Sequence, residues 1–462
     1  LPANRRKKTL DQLFVCFKNS IRYDLLRGVC KGRFCGFRLV AMEVKPMVHV
    51  VIAGAGIVGV SSAIWLQRAG HEVTLVDRMD VALRTSYGNA GVLAAGAILP
   101  VPVPGLAQKL PKMVFSRDEP LFLQWRYLPR LLPFLAKYLS FARADHVAHC
   151  ARSLSYLLAD SHAQHQSLAE GTGAERFISD ADFCFGYATE ASYRADESGR
   201  ALRRAHGYEI EELDGAAYAV RDPLYSGQFA KVVCYKNSGR ISDPGAYLAA
   251  LLAHFQAEGG TMLAARIEDI ELQHGAYKAL ITDQGRVTGD HIVLAMGAWS
   301  GKMAKKLGVK RLALESERGY HIELHNPSAM PKAPMMVSAG KFVVTPMEGR
   351  IRCAGVVEFA STEAAAQDGP VQFIKRQIAT LFPDLTYDHM SDWMGRRPAT
   401  TDSLPLIGPA RAIANGHMAF GHQHIGLTAG PKTGRLIADM VSNQPSNTDL
   451  SAFDPARYQA SS

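Results

Sequence analysis

The chain has 462 residues, enough for two or three domains. Its 47% hydrophobic and 21% charged content is that of a water-soluble globular protein, which excludes a disordered or fibrous class. The net charge of +9 is local: residues 1–46 carry a net +8 and the other residues only +1, so no basic face for nucleic acid is implied.

In chain order, residues 1–46 have no sustained periodicity and begin with Leu. They are expected to be a disordered or non-native extension, with Met47 as a natural start. A basic, acid-poor mitochondrial transit peptide is the alternative. The stretch HVVIAGAGIVGVSSAIWLQRAGHEVTLVDR (His49–Arg78) is different. Val50, Val51 and Ile52 predict a strand. Gly54, Gly56 and Gly59 form G-x-G-x-x-G. Ile57, Val60 and Ile64 carry a helical period, with Gln67 and Arg68 on the wet side and Gly70 as its stop. Val73–Val76 predicts a second strand closed by Asp77. In such a strand–turn–helix–strand unit, Gly54 makes the turn, Gly56 leaves room for a pyrophosphate and Gly59 lets helix and strand approach. The backbone of Ala55, Ile57 and Val58 opens the helix N-terminus towards the phosphates. Asp77 is placed to accept both hydroxyls of an adenosine ribose, with Arg78 beside it. The competing explanation is an ordinary parallel-sheet turn that needs glycine.

Thr85–Gly91 reads TSYGNAG, with Ser86, Asn89, Ala90 and Gly91 able to bring backbone close to a ligand. Residues 92–107 are apolar but hold three prolines, which predicts an extended run. Residues 121–142 are rich in Leu and aromatics. They read as a pair of core helices or, alternatively, as an amphipathic face on a bilayer; the charges inside them argue against a membrane span. Further elements are a strand around 231–241 (Val232, Val233, Tyr235) leading to a glycine turn and a helix at Tyr247–Glu258. Strands follow at Thr261–Ile267, Ile270–His274, Tyr277–Thr282 and His291–Ala295, the last leading into Gly297 and Trp299. Antiparallel strands are expected over 315–360 and a helix over 370–383. Pro431 is expected to open the last helix at its first position, and residues 446–462 to be a polar tail. Seven scattered cysteines without C-x-x-C read as buried reduced thiols.

Four separated stretches, GAGIVG, TSYGNAG, ERGYH and the C-terminal pair GRRPATTDSLPLIG and GHQHIGLTAGPKTGRLIADM, resemble the D-amino-acid oxidase superfamily of flavoproteins, and within it the D-amino-acid dehydrogenase small subunit. The resemblance covers about residues 48–442. It implies an α/β fold: an interrupted Rossmann-like FAD-binding domain (47–100, 231–310, 390–445) and a substrate domain (101–230, 311–389) whose antiparallel sheet roofs the flavin. It also implies FAD as cofactor and oxidation of a D-amino acid to a 2-oxo acid and ammonia. Electrons would pass to a quinone or another acceptor, in the cytoplasm with peripheral contact to the inner face of the inner membrane. An oxygen-using oxidase of glycine, sarcosine or another secondary amine fits the same motifs, as does a D-hydroxyproline dehydrogenase. A non-catalytic nucleotide-binding protein is the different-class alternative. Arg397 matches the family's carboxylate-binding arginine, with Arg396 the weaker candidate. Tyr320, His321 and His424 are expected at the substrate. Ile267, Gly297, Trp299, His422, Gly426, Leu427 and Thr428 are expected at the cofactor, the last three offering N–H groups to a reduced flavin. No metal site and no general base are expected, and the oligomeric state is left open.

Overall fold

The apolar run at His49–Ala53 forms the strand it predicts, buried on both faces as a central parallel strand must be. It lies between the parallel strands Glu72–Asp77 and His291–Leu294. Thr261–Ala264 extends this six-stranded sheet on one side, and Gly416–Phe420 and the antiparallel edge Leu406–Pro409 on the other. The computed structural model describes residues 47–78, 84–108, 119–445 and 448–459, so the expectations for residues 1–46 lie outside the described residues. From Val48 onward the chain is one compact unit.

The helix Ile57–Arg68 follows the glycine turn and packs against the helix Gly426–Val441. Their approach is close: a Cβ added to Gly434 would come within 2.6 Å of the Ser61 backbone. The last helix therefore starts five residues before Pro431, which corrects the expectation that proline opens it. A mid-helix proline leaves the carbonyl four residues earlier without its donor. That carbonyl belongs to Leu427, and the buried His165 ring bonds to it at 2.9 Å. Gln67 and Arg68 lie on the wet side as expected, half-buried and exposed respectively, and from there they cap other helices. Gln67 donates to Phe255 O, and Arg68 donates to the carbonyls of Ser167, Leu168 and Glu170.

A ten-stranded sheet covers the other side of the molecule. Its strands run in the order His389–Thr400, Leu314–His325, Arg350–Phe359, Phe342–Met347, Met335–Val337, Ile178–Tyr187, Lys231–Ile241 and Val92–Leu93, with Leu121–Leu123 and Ile210–Asp214 joined at its sides. The strand expected around 231–241 is Lys231–Ile241, and its irregularity is a bulge at Lys236 and Asn237, the latter at φ 55°. Strands 231–241 and 389–400, grouped with the nucleotide-binding segments in the sequence reading, belong to this second sheet. A separate three-stranded sheet holds Ile267–Gln273, Ala276–Thr282 and Gly285–Thr288, the last not anticipated.

Three further expectations are corrected. Residues 121–142 form a short strand, a 3-10 turn at Trp125–Tyr127 and one α-helix, Leu128–Ser140, rather than a pair of core helices. Leu131, Phe134 and Tyr138 bury themselves against Phe359 and Ala399, while Trp125 and Leu132 stay 56% and 55% exposed. Cys184 and Cys234 face each other across neighbouring strands and form a disulfide, whereas Cys150 and Cys353 are buried thiols. The supposed polar tail docks: Phe453 and Tyr458 are buried, and Arg457 pairs with the buried Asp402 at 2.8 Å. Among the described residues no helix is long and apolar enough to cross a membrane.

Candidate active site

A cavity of about 640 Å³ runs between the parallel sheet and the ten-stranded sheet. At one end it is built by the glycine turn. Gly54 adopts φ +105°, and a Cβ there would strike Ala295 O at 2.5 Å; at Gly59 it would fall 1.9 Å from Gly54 O. Both positions are closed to any other residue by backbone. At Gly56 an added Cβ would meet only Ser86 Oγ at 3.4 Å, so the turn is open on its cavity side. Ile57 N–H donates to Ser86 Oγ at 3.0 Å, which ties the TSYGNAG loop to the start of the helix. Asp77 ends its strand at the cavity, accepts Ala55 N–H at 2.7 Å and lies 3.7 Å from Arg84. Nearby, Arg78 and Arg396 both lie over the Trp299 ring.

The other end is roofed by Arg397. Its Nη1 donates to Glu317 Oε1 at 3.0 Å and to Val356 O at 3.2 Å. The guanidinium lies flat over Gly319, where a Cβ would come 2.1 Å from Nη2. Val356 sits at a bulge with φ +60°, a conformation strained for a β-branched residue, and the bulged strand presents this carbonyl to Arg397. Arg396 instead points its Nε at Thr362 O, so the two adjacent arginines serve different walls. Helix Gly426–Val441 begins here, and the N–H groups of its first residues have no partner within the helix. Gly426, Leu427 and Thr428 all line the cavity.

The cavity thus brings together most of the residues picked from sequence: Gly54, Gly56, Ile57, Val58, Asp77, Arg78, Ser86, Asn89, Ala90, Ile267, Gly297, Trp299, Tyr320, Arg397, His422 and His424. It leaves out Ala55, Gly59, Gly91 and His321. Ala55 and Gly59 are backbone packing positions, and Gly91 closes a local turn onto Asn89. His321 is on the expected face, but the Trp393 ring stacks over it at 5.2 Å and its Nδ1 meets Gly88 O. Burial pushes its pKa down to about 3, so it is a neutral packing group. Tyr320 has its hydroxyl committed to Glu358 at 2.6 Å and to Gln367 N–H. Burial and that carboxylate push its pKa up to about 12, so the hydroxyl is tied into the roof while the residue still lines the cavity. His422 is bonded to Thr433 Oγ1 and held neutral by burial, with a pKa of about 3. His424 is exposed to the cavity interior, and the enclosing protein lowers its pKa despite Glu317 nearby.

Trp393 lines the cavity and was not anticipated from sequence. It lies flat because Gly88 and Gly395 have no side chains: a Cβ at either would fall within 2.2 Å of its ring. The signal was present as WMG and YGN, but in stretches far apart.

Residues 49–440 match the family described as FAD dependent oxidoreductase, and the chain belongs to that family. It is 36% identical over 420 residues to a D-amino-acid oxidase of Bradyrhizobium diazoefficiens, covering 89% of this chain and 99% of that one. It is 31% identical to a D-amino acid dehydrogenase of Sinorhizobium medicae, covering 88% and 99%. In fold it is similar to glycine oxidase from Geobacillus kaustophilus, with TM-score 0.69 and 21% identity over 89% of this chain and 99% of that one. The chain is an FAD-dependent oxidoreductase of mixed α/β fold. The cavity fits that cofactor: an open glycine turn for the pyrophosphate, a carboxylate at the strand end for the ribose and a helix N-terminus beside the roof for negative charge.

The role of Asp77 is testable apart from turnover. Asp77→Ala removes an acceptor of charge-assisted bonds worth about 1.5–3 kcal/mol, so the FAD dissociation constant should rise roughly ten- to a hundredfold. Asp77→Asn can still accept from Ala55 N–H and should fall between. Fluorescence titration of apoprotein with FAD measures both; unchanged affinity in the alanine variant would remove Asp77 from the site.

Proposed function

We propose that the chain oxidises the Cα–N bond of a D-amino acid to an imine, which water hydrolyses to a 2-oxo acid and ammonia, and that it passes the electrons to a quinone or another acceptor other than oxygen. The observation that carries this reading is Arg397, a guanidinium pinned flat in the roof by Glu317 and Val356 O through Nη1 alone. Its remaining edge can take a carboxylate bidentately, which fixes both the position and the plane of an amino acid. FAD, when bound, supplies the two-electron acceptor for hydride from Cα. The protein's share is positioning, worth most when a bound substrate is held close to its reacting geometry. The N-terminus of the helix Gly426–Val441 favours negative charge beside the roof. Neutral His424 adds no competing positive charge next to Arg397. No base is assigned: Glu317 is already paired, and loss of the ammonium proton to water precedes oxidation.

We take the six-stranded parallel sheet with its helices as the FAD-binding part and the ten-stranded sheet as the substrate part. The decisive test is an anaerobic screen in which D-amino acids, L-amino acids and N-methyl amines are mixed with the holoprotein. Bleaching of the flavin by D-amino acids alone is expected; bleaching only by L-amino acids or by glycine and sarcosine overturns the reading. A second reading, an oxidase using oxygen, is favoured by the name of the Bradyrhizobium relative. Oxygen uptake against dye reduction, measured on one preparation, separates the two.

For location, the proposal is a cytoplasmic protein that touches the inner membrane peripherally through the outer face of helix Leu128–Ser140. Leu132 on that helix and Trp125 in the 3-10 turn just before it are the exposed apolar groups. Replacing both with Ser should reduce co-sedimentation with anionic vesicles and leave the melting temperature within a few degrees. Phe134→Ser is a different experiment, since Phe134 is 2% exposed and its loss should cost about 3–5 kcal/mol of stability. Unchanged sedimentation of the double variant rejects the membrane face.

A further inference from the structure

The cavity continues well past Arg397, and its far end holds a second buried arginine. Strand register sets Trp393, His321, Ala354, Val343, Met336 and Phe185 in one row across the ten-stranded sheet. All of these except His321 line the cavity, and Phe183, Tyr235 and Arg203 line it beyond. Arg203 comes from the helix Glu197–Ala205 and is only 7% exposed. Its partners are neutral: Nε donates to Gly96 O at 2.9 Å and Nη1 to Tyr235 Oη at 3.3 Å, and the guanidinium lies over the Phe185 and Tyr235 rings. Among the described residues it forms no ion pair. Arg200, one turn earlier, shows the contrast: it is matched by Glu197 and Glu212. Asp196 approaches the same helix turn, but it accepts from Tyr187 and does not line the cavity. A buried cation without an anion is costly, and Arg203 lines the cavity with its Nη2 making no hydrogen bond to the described residues, which makes it a site for an anion from outside.

The span between the two arginines sets the size of the ligand. Arg397 is bonded to the strand Arg350–Phe359, and Phe185 lies three strands further on. At about 4.8 Å per spacing that is roughly 14 Å to Phe185 and, since the Arg203 guanidinium lies over both Phe185 and Tyr235 of the next strand, roughly 14–18 Å to Arg203. Each bidentate ion pair occupies roughly 4 Å of it. About 6–10 Å then remains between the two carboxylates, or some five to eight bonds at about 1.2 Å each. We propose that the substrate is a long dicarboxylic D-amino acid, its α-carboxylate on Arg397 and its distal carboxylate on Arg203, with its methylenes between Val343, Met336 and Phe185. This deepens the proposed reaction and rests on the reading of Arg397 as its carboxylate clamp. Aspartate and glutamate are too short to engage both ends.

The test is a chain-length series in anaerobic flavin reduction: D-glutamate, D-2-aminoadipate, D-2-aminopimelate and D-2-aminosuberate, each beside its ω-amide, with D-norleucine as a neutral reference. In the wild type, kcat/KM should peak at aminopimelate or aminosuberate, at least tenfold above the matching amide. Arg203→Gln should bring that acid-to-amide ratio close to one at unchanged FAD content, and Arg203→Lys should restore part of it. A binding readout is independent of turnover: pimelate, which has no amine, should perturb the flavin absorbance at least tenfold more tightly than hexanoate, and less so in Arg203→Gln. A preference for D-glutamate, equal rates for acids and amides, or a uniform fall for acid and amide in Arg203→Gln overturns the proposal. If the variant does not fold, the wild-type chain-length profile alone decides. Failure of every D-amino acid to bleach the flavin would defeat the reaction proposed above, and the pimelate comparison would still decide the distal site.

Discussion

Arg397→Met should lower kcat/KM for anaerobic flavin reduction by the best D-amino acid roughly a hundred- to a few-thousandfold, the equivalent of about 3–5 kcal/mol for a carboxylate brought to a buried site without its partner. Arg397→Lys should fall in between, because an ammonium keeps the charge but cannot bind Glu317, Val356 O and a substrate carboxylate in one plane. Loss of Arg397 also strands Glu317, which is 4% exposed, so part of any effect is structural. The double variant Arg397→Met with Glu317→Gln removes that stranded charge. It should recover stability without recovering flavin reduction. Arg396→Met is the positional control. It removes one bond to Thr362 O and a contact with Trp299, and its effect should be milder. An amine without a carboxylate should react equally slowly with wild type and Arg397→Met. Equal losses for amino acid and amine, or a larger loss at Arg396, would take the clamp away from Arg397.

The parts of this site that were legible in the sequence are the local ones. Strand, glycine turn, helix and acid follow one another within His49–Arg78, and the backbone itself forbids a side chain at Gly54 and Gly59. Arg397 was found by resemblance, and its position in an antiparallel strand over Gly319 supplies the physical reason. Non-local features were hidden. Pro431 was misread because the carbonyl it orphans is served by His165, more than 250 residues away. His321 was placed on the correct face, but nothing local indicates that Trp393 from the neighbouring strand would cover it. Trp393 itself needs Gly88 and Gly395 to meet. The Cys184–Cys234 bridge depends on register between strands fifty residues apart. Arg203 reads from sequence as one charge among several on a polar helix, and only the assembled cavity distinguishes it from Arg200.

The largest effect on stability is expected at Glu323. This carboxylate, 5% exposed, accepts from Arg350 Nε at 2.7 Å and from Arg352 through Nε at 2.9 Å and Nη2 at 2.7 Å. Arg352 in turn donates to Tyr87 O at 3.0 Å and Asn89 O at 2.5 Å, so the cluster holds the TSYGNAG loop against the roof. Arg350 also reaches Asp243, the N-cap of the helix Pro244–Ala257. Burial alone would raise the Glu323 pKa, but the two guanidinium groups outweigh it and hold it near 2, against an ordinary 4.5. The folded value is thus depressed, so Glu323 contributes stability that is fully present above about pH 4.5 and lost as pH falls towards 2. The size of that contribution is roughly 3 kcal/mol. Glu323→Gln keeps the shape and removes the charge. It leaves Arg352 buried with too little counter-charge, and destabilisation by about 3–5 kcal/mol is expected. The acid limb of the stability–pH profile should flatten between pH 4.5 and 3, as read from urea midpoints in the apoprotein. FAD should also be held less tightly, because Ser86, Asn89 and Ala90 lose the anchor behind their loop. Arg352→Met with Glu323→Leu, which removes charge on both sides, should recover much of the stability but not the FAD affinity. An unchanged acid limb in Glu323→Gln would mean that the arginines, rather than this carboxylate, set the strength of the cluster.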